Sequence, residues 1–136
     1  VLFSGKKYLT QVVRGDEACA MPSRRWNKPS IMITCEANYS NAHGTPWVYQ
    51  HMKLGKVVGM PVPGTMTSVS WETLQDPQLI FGIPVTGYRT AEGYYLENHQ
   101  LEPDVKVAIS PEDVVNGEDS QLRVAVEELL KELDKK

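Results

Sequence analysis

The strongest candidate for a catalytic residue is Ser40, which follows a short apolar segment and precedes a predicted helix. Ile31–Cys35 is nearly all apolar, a pattern typical of a strand buried on both faces of a parallel sheet. Ligands of open α/β sheets bind beyond the carboxyl ends of the strands, and a helix N-terminus offers backbone N–H groups that hold an oxyanion. A serine at this place suits nucleophilic acyl transfer, with the N–H of Asn41 as an oxyanion donor. The alternative is that Ser40 is an ordinary helix N-cap, a position that serine favours.

A serine nucleophile needs a general base, and the chain has three histidines: His43, His51 and His99. His43 follows Ser40 by three residues, so both side chains project from one helical turn, and a nucleophile–base hydrogen bond is not favoured. We expect His43 to be a polar residue near the site, His51 to lie on a helix face and His99 to lie in a loop. Three dispersed histidines and two cysteines make a poor set of metal ligands, so the sequence predicts no metal.

The elements around Ser40 predict an α/β core. Helical spacing of apolar residues ends at Gly55, and Pro46 suits the first turn of that helix. Lys56–Met60 then predicts a second buried strand. A strand, a helix and a strand within about thirty residues form a βαβ unit, which requires parallel pairing.

The remaining patterns predict extended segments and a terminal helix. The helix follows a capping segment at 117–120, and its apolar face is formed by Leu122, Val126, Leu129 and Leu133, widened by Ala125 and Leu130. The strands are expected at Tyr8–Val13, Ser68–Leu74, Leu79–Arg89, Tyr94–Leu96 and Val105–Ile109.

Length and composition limit the possible classes of protein. The 136 residues are enough for one domain, and 41% hydrophobic with 23% charged residues is the balance of a globular chain. The net charge of −3 gives no basic excess for nucleic acid, and no apolar run is long enough to span a membrane. Cys19 and Cys35 permit one disulfide, but we expect two free thiols.

From Pro29 to about Leu133 the chain resembles the C-terminal half of the protease domain of tricorn-type serine proteases. That peptidase family also contains the C-terminal processing peptidases. Four blocks carry the resemblance in the same order: Cys35–Ala42 (CEANYSNA), Leu54–Gly59 (LGKVVG) with its following Pro/Gly turn, Tyr95–Asn98 (YLEN) leading into Leu101–Val107 (LEPDVKV), and the closing Asp119–Leu133 helix.

The resemblance implies roles for three residues. Ser40 would be the nucleophile, and the backbone N–H of Asn41 would be one oxyanion donor. Glu97 would help to orient a catalytic histidine through a second serine, although a surface carboxylate remains the alternative for Glu97. The implied fold is a ClpP/crotonase-like α/β fold with a partly parallel sheet and flanking helices. The implied substrates are peptides or unfolded polypeptides, with no cofactor.

The general base is where the sequence departs from part of the family. Processing peptidases carry a lysine base in the turn after the strand that follows the nucleophile helix, whereas here that turn, Val62–Thr65, has none. Tricorn-type enzymes take the base from a Ser-His pair that precedes this half of the domain, together with the glycine-rich turn that supplies the other oxyanion donor. We therefore expect an incomplete domain, with residues 1–28 as a lead-in strand and loop and 29–136 as the C-terminal half.

Such a chain would have little activity alone, and its partners would be the missing N-terminal half and further copies in a homo-oligomer. No compartment is assigned. One alternative function is a non-catalytic peptide-binding or assembly module, with a peptide strand paired to an edge within Ser68–Leu96 and with Trp71 and Tyr88 forming pockets. A crotonase-type acyl-CoA enzyme shares the fold class, but it needs two backbone donors and no serine nucleophile, and a second glycine-rich turn is not found.

Overall fold

A computed structural model describes residues 5–12 and 14–134 of the chain. The described residues form β1 (Leu9–Gln11), β2 (Cys19–Met21), β3 (Met32–Thr34), α1 (Asn41–His51), β4 (Val57–Gly59), β5 (Ser68–Thr73), β6 (Ile80–Thr86), β7 (Val105–Lys106), α2 (Pro111–Asn116) and α3 (Ser120–Leu133). Val13, the last residue of the first predicted strand, lies outside the described residues. Both cysteines are free thiols, as expected.

The centre of the molecule is a parallel sheet in the order β3-β4-β7. Val58 of β4 pairs with Ile33 of β3 on one side and with Val105 of β7 on the other. Val57 and Val58 are completely buried because β4 is the central strand. The α1 helix connects β3 to β4, so the predicted βαβ unit and its parallel pairing are confirmed.

Two polar side chains fix the ends of this sheet. The Asp104 carboxylate accepts a hydrogen bond from the Val57 N–H at 2.7 Å, while the Asp104 N–H donates to the Val57 carbonyl at 2.8 Å. At the opposite end of β4, the buried Thr34 hydroxyl donates to the Met60 carbonyl at 2.9 Å. These bonds set the register of β3 and β7 on β4, and therefore the place where the chain leaves β3 towards Ser40.

The helix after Ser40 begins earlier than the sequence predicts. α1 starts at Asn41, so Pro46 lies inside the helix rather than in its first turn. A proline has no N–H for the carbonyl four residues before it, which here belongs to Ala42. The Asn38 side-chain amide donates to that carbonyl at 3.1 Å, and this replacement bond allows the helix to include Pro46.

The terminal helix is found where it was predicted, and Ala125 of its predicted apolar face is buried, but most of that face is exposed. The buried residues of α3 include Gln121 and Ala125, whereas Leu122 and Val126 are about half exposed. Gln121 donates to the Val107 carbonyl at 2.9 Å, and the Ser120 hydroxyl donates to the Ala108 carbonyl at 3.1 Å. These bonds to the segment after β7 fix the rotation of the helix and turn much of its leucine and valine stripe outward.

Other expectations also need correction. Tyr94–Leu96 is not a strand, because only one bridge forms there, between Tyr95 and Arg89. The last predicted strand is shorter, ending at Lys106. α2 and β2 are not predicted by the sequence patterns. Ser110 and Asp113 form a capping box that explains the start of α2.

The β5–β6 pair forms an antiparallel ribbon of its own. Its apolar side chains face solvent, with Trp71 69% and Ile80 63% exposed. Within the described residues, no helix combines the length and the apolar character needed to cross a lipid bilayer.

Candidate active site

Ser40 occupies a sharp turn between β3 and α1. Its backbone has φ 55° and ψ −123°, a combination that non-glycine residues adopt only under strain. The turn is held because the Ser40 N–H donates to the Thr65 carbonyl at 2.7 Å. Ser40 stands at the N-cap position, yet its hydroxyl makes no capping hydrogen bond. The hydroxyl is therefore not used in the way that an ordinary N-cap serine uses it.

The first turn of α1 surrounds Ser40 with backbone donors. The Ser40 carbonyl accepts from the N–H groups of His43, at 2.8 Å, and Gly44, at 3.1 Å. Asn41 is the first residue of the helix, so its N–H has no acceptor within the helix. This N–H, which has no acceptor within the helix, together with the positive end of the helix dipole, suits an oxyanion next to Ser40.

Asn38 holds the loop that leads into this turn. Its side-chain oxygen accepts from the Cys35 N–H at 3.2 Å and from the Cys35 thiol at 3.1 Å. Its amide nitrogen donates to the Ala42 carbonyl inside α1. One side chain thus connects the end of β3 to the first turn of the helix. Sequence reasoning missed Asn38, and the only signal for it is the general tendency of Asn side chains to hydrogen-bond nearby backbone in turns.

Glu97 is held by backbone amides, and so it is more than a surface carboxylate. One carboxylate oxygen accepts from the N–H of Met66 at 2.7 Å and from the N–H of Thr67 at 2.6 Å. These bonds, led by the one from Met66, lower the pKa of Glu97 from its usual value. Glu97 is therefore an oriented anion.

The Val62–Thr65 turn brings Glu97 close to the Ser40 turn. The Asn98 N–H donates to the Gly64 carbonyl at 2.8 Å. A Cβ atom at Gly64 would lie 2.4 Å from the backbone nitrogen of His99, so only glycine permits this approach. Thr65 binds the Ser40 N–H, and the next two residues bind Glu97. A single segment therefore fixes both side chains.

His43 is completely buried, which the sequence did not indicate. Within the described residues, neither ring nitrogen has a hydrogen-bond partner, so the imidazole is not bonded to the Ser40 hydroxyl. Burial lowers the pKa of His43, and the nearby Glu97 charge opposes that shift. His43 is thus a buried imidazole, without a hydrogen-bond partner among the described residues, that packs beside the site.

The other histidines lie elsewhere. His51 is exposed on α1 and stacks on Trp47 with ring centroids 4.7 Å apart. The Nδ1 atom of His99 lies 3.0 Å from the Glu97 carbonyl oxygen, and its ring contacts Tyr94. Among the described residues, no group of three or more His, Cys, Asp and Glu side chains comes together as a metal site.

The fold and this turn define the class of protein. The model of Peptidase family S41 matches residues 2–107, and the chain belongs to that family. It is 27% identical over 119 residues to a tricorn-like protease C-terminal subunit of Sulfurisphaera tokodaii, covering 85% of this chain and 14% of the relative. It is 27% identical over 110 residues to the tricorn protease of Thermoplasma acidophilum, covering 76% of this chain and 10% of the relative.

The solved structure of the tricorn protease has a similar fold. It superposes with a TM-score of 0.76 at 22% identity, covering 95% of this chain and 13% of that chain. The resemblance to tricorn-type proteases found in the sequence is thereby confirmed. The chain spans about one seventh or less of the length of these relatives.

Proposed function

We propose that Ser40 is the nucleophile of a serine-type peptidase that cleaves peptides or unfolded polypeptides. The observation that carries the proposal is the strained turn at Ser40, whose hydroxyl forms no cap although it stands at a helix N-terminus. Strained strand-to-helix turns of this kind are used to expose a nucleophilic oxygen. Membership of a peptidase family supplies the reaction class.

The proposed reaction is acyl transfer in two steps. The Ser40 oxygen attacks the scissile carbonyl carbon while its proton passes to a general base, and the Asn41 N–H stabilises the resulting oxyanion. The carbon–nitrogen bond then breaks, and the leaving amine takes the proton from the base. Water attacks the acyl-enzyme in the same manner and releases the acid product.

Glu97 would act by positioning the base. Its carboxylate is already oriented by the amides of Met66 and Thr67, so it can accept a further hydrogen bond without a change of geometry. We propose that it orients a histidine through an intervening serine, both supplied by sequence that precedes this chain. A base supplied from elsewhere is compatible with the structure, because the ring nitrogens of His43 make no hydrogen bond to Ser40.

We also propose a division of the chain into two parts. Residues 29–136 would form the C-terminal half of a ClpP/crotonase-like catalytic domain, and residues 1–28 a lead-in strand and loop. The chain alone would then hold a nucleophile without its base. Loss of triad members lowers rates by roughly 10⁴–10⁶-fold, so this chain is expected to be nearly inactive by itself.

Peptide hydrolysis by the full-length protein tests the proposal. Ser40→Ala should lower kcat by about 10⁴-fold or more. Ser70→Ala, an exposed serine on β5, is the matched control and should retain full activity. Hydrolysis that persists in Ser40→Ala would show that Ser40 is not the nucleophile.

A non-catalytic peptide-binding or assembly module is the second candidate, and the exposed apolar β5–β6 ribbon favours it. The two proposals differ in turnover. A module would bind an unfolded polypeptide with equal affinity before and after Ser40→Ala and would release it intact.

A further inference from the structure

The His43 imidazole is a buried polar group that the fold leaves unsatisfied. The residue is completely buried, and neither Nδ1 nor Nε2 has a hydrogen-bond partner among the described residues. Buried polar side-chain atoms are nearly always hydrogen-bonded in native proteins, because an unsatisfied one loses its hydration without a replacement. An apolar side chain would fill this space at a lower cost. A histidine here therefore indicates a role for the ring nitrogens.

The position of His43 connects it to both parts of the candidate site. Its backbone N–H donates to the Ser40 carbonyl at 2.8 Å, so the ring projects from the turn that carries the proposed nucleophile. The next residue, Gly44, faces the Met66 side chain so closely that a Cβ atom would lie 2.7 Å from the Met66 Cε. Met66 is one of the two residues whose N–H binds Glu97. His43 thus lies where the Ser40 turn packs against the segment that holds Glu97.

Glu97 supplies the charge that acts on the His43 ring. Burial lowers the pKa of His43, and the Glu97 charge acts in the opposite direction. The interaction is reciprocal: the pKa of Glu97 is lowered by the hydrogen bonds from Met66 and Thr67 and, to a smaller extent, by His43. The two side chains therefore interact electrostatically, although no hydrogen bond joins them.

The elements beside His43 bring no other charged group to the ring. β3 and residues 62–67 contain no ionisable side chain. The remaining ionisable groups of α1 and of the adjacent loops are either exposed or engaged in hydrogen bonds of their own: Glu36, Tyr39, His51 and His99 are exposed, the Cys35 thiol donates to Asn38, and the Tyr49 hydroxyl donates to the Ser30 carbonyl.

A proton taken from solvent would change what the ring requires. Both ring nitrogens of a protonated His43 are donors, and the ring carries a positive charge in a buried position. A buried charge is stable only beside an opposite charge, and Glu97 is the anion that acts on His43. Met66 and Thr67 already bind Oε2 of Glu97, so the imidazolium would compete for the remaining acceptor capacity of the carboxylate. The proposed base needs that same capacity.

We propose that His43 is a positioning residue and an acid-sensitive switch of the proposed peptidase. While the imidazole is uncharged, Glu97 is available to orient the base. Once the ring takes up a proton, it binds Glu97 as its counter-ion, and the base loses its orientation. The inference rests on the proposed roles of Ser40 and Glu97. It goes further in predicting a peptidase that is active near neutral pH and reversibly inactivated by mild acid.

The test is the pH dependence of kcat/KM for peptide hydrolysis by the full-length protein, over the range in which circular dichroism shows it folded. Protonation of the proposed base gives log kcat/KM a slope of about 1 on the acid side. Protonation of His43 adds a second proton, so the slope should steepen towards about 2 below about pH 6.5. Glu97 does not supply this proton, because its pKa is lowered.

His43→Gln should keep a slope of about 1, and it should therefore retain up to about 10-fold more activity for each further pH unit. The controls are His51→Gln, at an exposed residue of the same helix, and His99→Gln, at an exposed residue beside Glu97. Both should show the steep slope of the unsubstituted protein. If His43→Gln does not fold, His43→Leu serves instead, because an unpartnered ring can be replaced by an apolar side chain.

The outcomes separate this inference from the proposed function. A slope of about 1 in the unsubstituted protein, a steep slope that persists without His43, or a steep slope lost in His99→Gln would overturn the switch and leave the nucleophile assignment intact. Absence of hydrolysis at every pH would overturn the proposed function and this inference with it. Steepening that is lost only when His43 is replaced would support the switch.

Discussion

Strand β4 and the β5–β6 ribbon place apolar side chains in opposite surroundings. Val57 and Val58 are completely buried between two parallel neighbours, whereas Trp71 is 69% and Phe81 57% exposed. The sheet and the Ser40 turn are completed by contacts within this chain. The ribbon instead presents an apolar surface of the kind that proteins cover with a partner or a further segment. The Ser40 turn is therefore held by contacts among the described residues, whereas the ribbon leaves its apolar surface uncovered.

The largest effect on stability is expected at the turn that joins Ser40 to Glu97. Gly64→Ala should lower the free energy of unfolding by about 3 kcal/mol or more, because the new Cβ would meet the His99 backbone. Gly117→Ala is the comparison, since Gly117 has a positive φ, +70°, but open space around it, whereas Gly64 has the close contact without a positive φ. Its cost should be about 1–2 kcal/mol, from the left-handed conformation alone. Equal losses in urea unfolding would contradict the close approach at Gly64.

The contrast between sheet and ribbon can be measured directly with two truncations. Val58→Ala leaves a cavity in the centre of the sheet and should cost about 2–3 kcal/mol. Ile80→Ala, at a side chain 63% exposed, should change stability by no more than about 0.5 kcal/mol. Thermal unfolding of the two variants provides the measurement. A large loss at Ile80 would show that the ribbon packs on the body of the molecule.

The buried imidazole of His43 gives a smaller effect that depends on pH. Burial lowers its pKa, so below about 6.5 the unfolded chain binds a proton that the folded chain does not. Stability should therefore decrease as pH falls below that value, by at most about 1.4 kcal/mol per pH unit. His43→Gln should remove this slope between pH 7 and 5.5, and the exposed His51→Gln should keep it. A slope that persists in His43→Gln would assign it to another group.

At lower pH the carboxylates contribute in the same direction. Hydrogen bonds to Lys131 and Lys56 lower the pKa of Glu128 to about 2. Because the folded-state pKa is depressed, this stabilisation is complete above the unfolded value near 4.5 and is lost as pH falls towards 2. Glu128→Gln should reduce the dependence of the free energy of unfolding on pH between 4.5 and 2, and Glu118→Gln is the exposed control. An unchanged pH dependence in Glu128→Gln would show that other carboxylates dominate acid unfolding.

Substitutions in the β5–β6 ribbon should have the smallest effect on stability but a clear effect on the oligomeric state. The pair Trp71→Thr and Phe81→Thr removes apolar surface from the ribbon while keeping residues that favour strands. Light scattering should show the chain shifting towards monomer, with the unfolding midpoint nearly unchanged. If the unsubstituted chain is already a monomer at high concentration, the ribbon is not a self-association surface.

The parallel core was predictable because Ile31–Cys35 and Lys56–Met60 are short apolar runs separated by a helical pattern. Ser40 could be singled out for the same reason, since it lies at the end of the first run. The start of α1 was not predictable from Pro46. Proline cannot donate a hydrogen bond to the Ala42 carbonyl, and the Asn38 side-chain amide donates to that carbonyl instead. The rotation of α3 about its axis was also not predictable from the hydrophobic pattern. It depends on Gln121 binding the Val107 carbonyl, and a hydrophobic pattern does not encode such a tertiary bond.

The most direct test of the account is covalent labelling by a fluorophosphonate probe, with the adduct mapped by mass spectrometry. The full-length protein, its Ser40→Ala variant and the 136-residue chain are compared under conditions where each is folded. We expect an adduct on Ser40 in the full-length protein, none in Ser40→Ala and slow labelling of the short chain. An intact, folded full-length protein that is not labelled at Ser40 would contradict the assignment of Ser40 as the nucleophile.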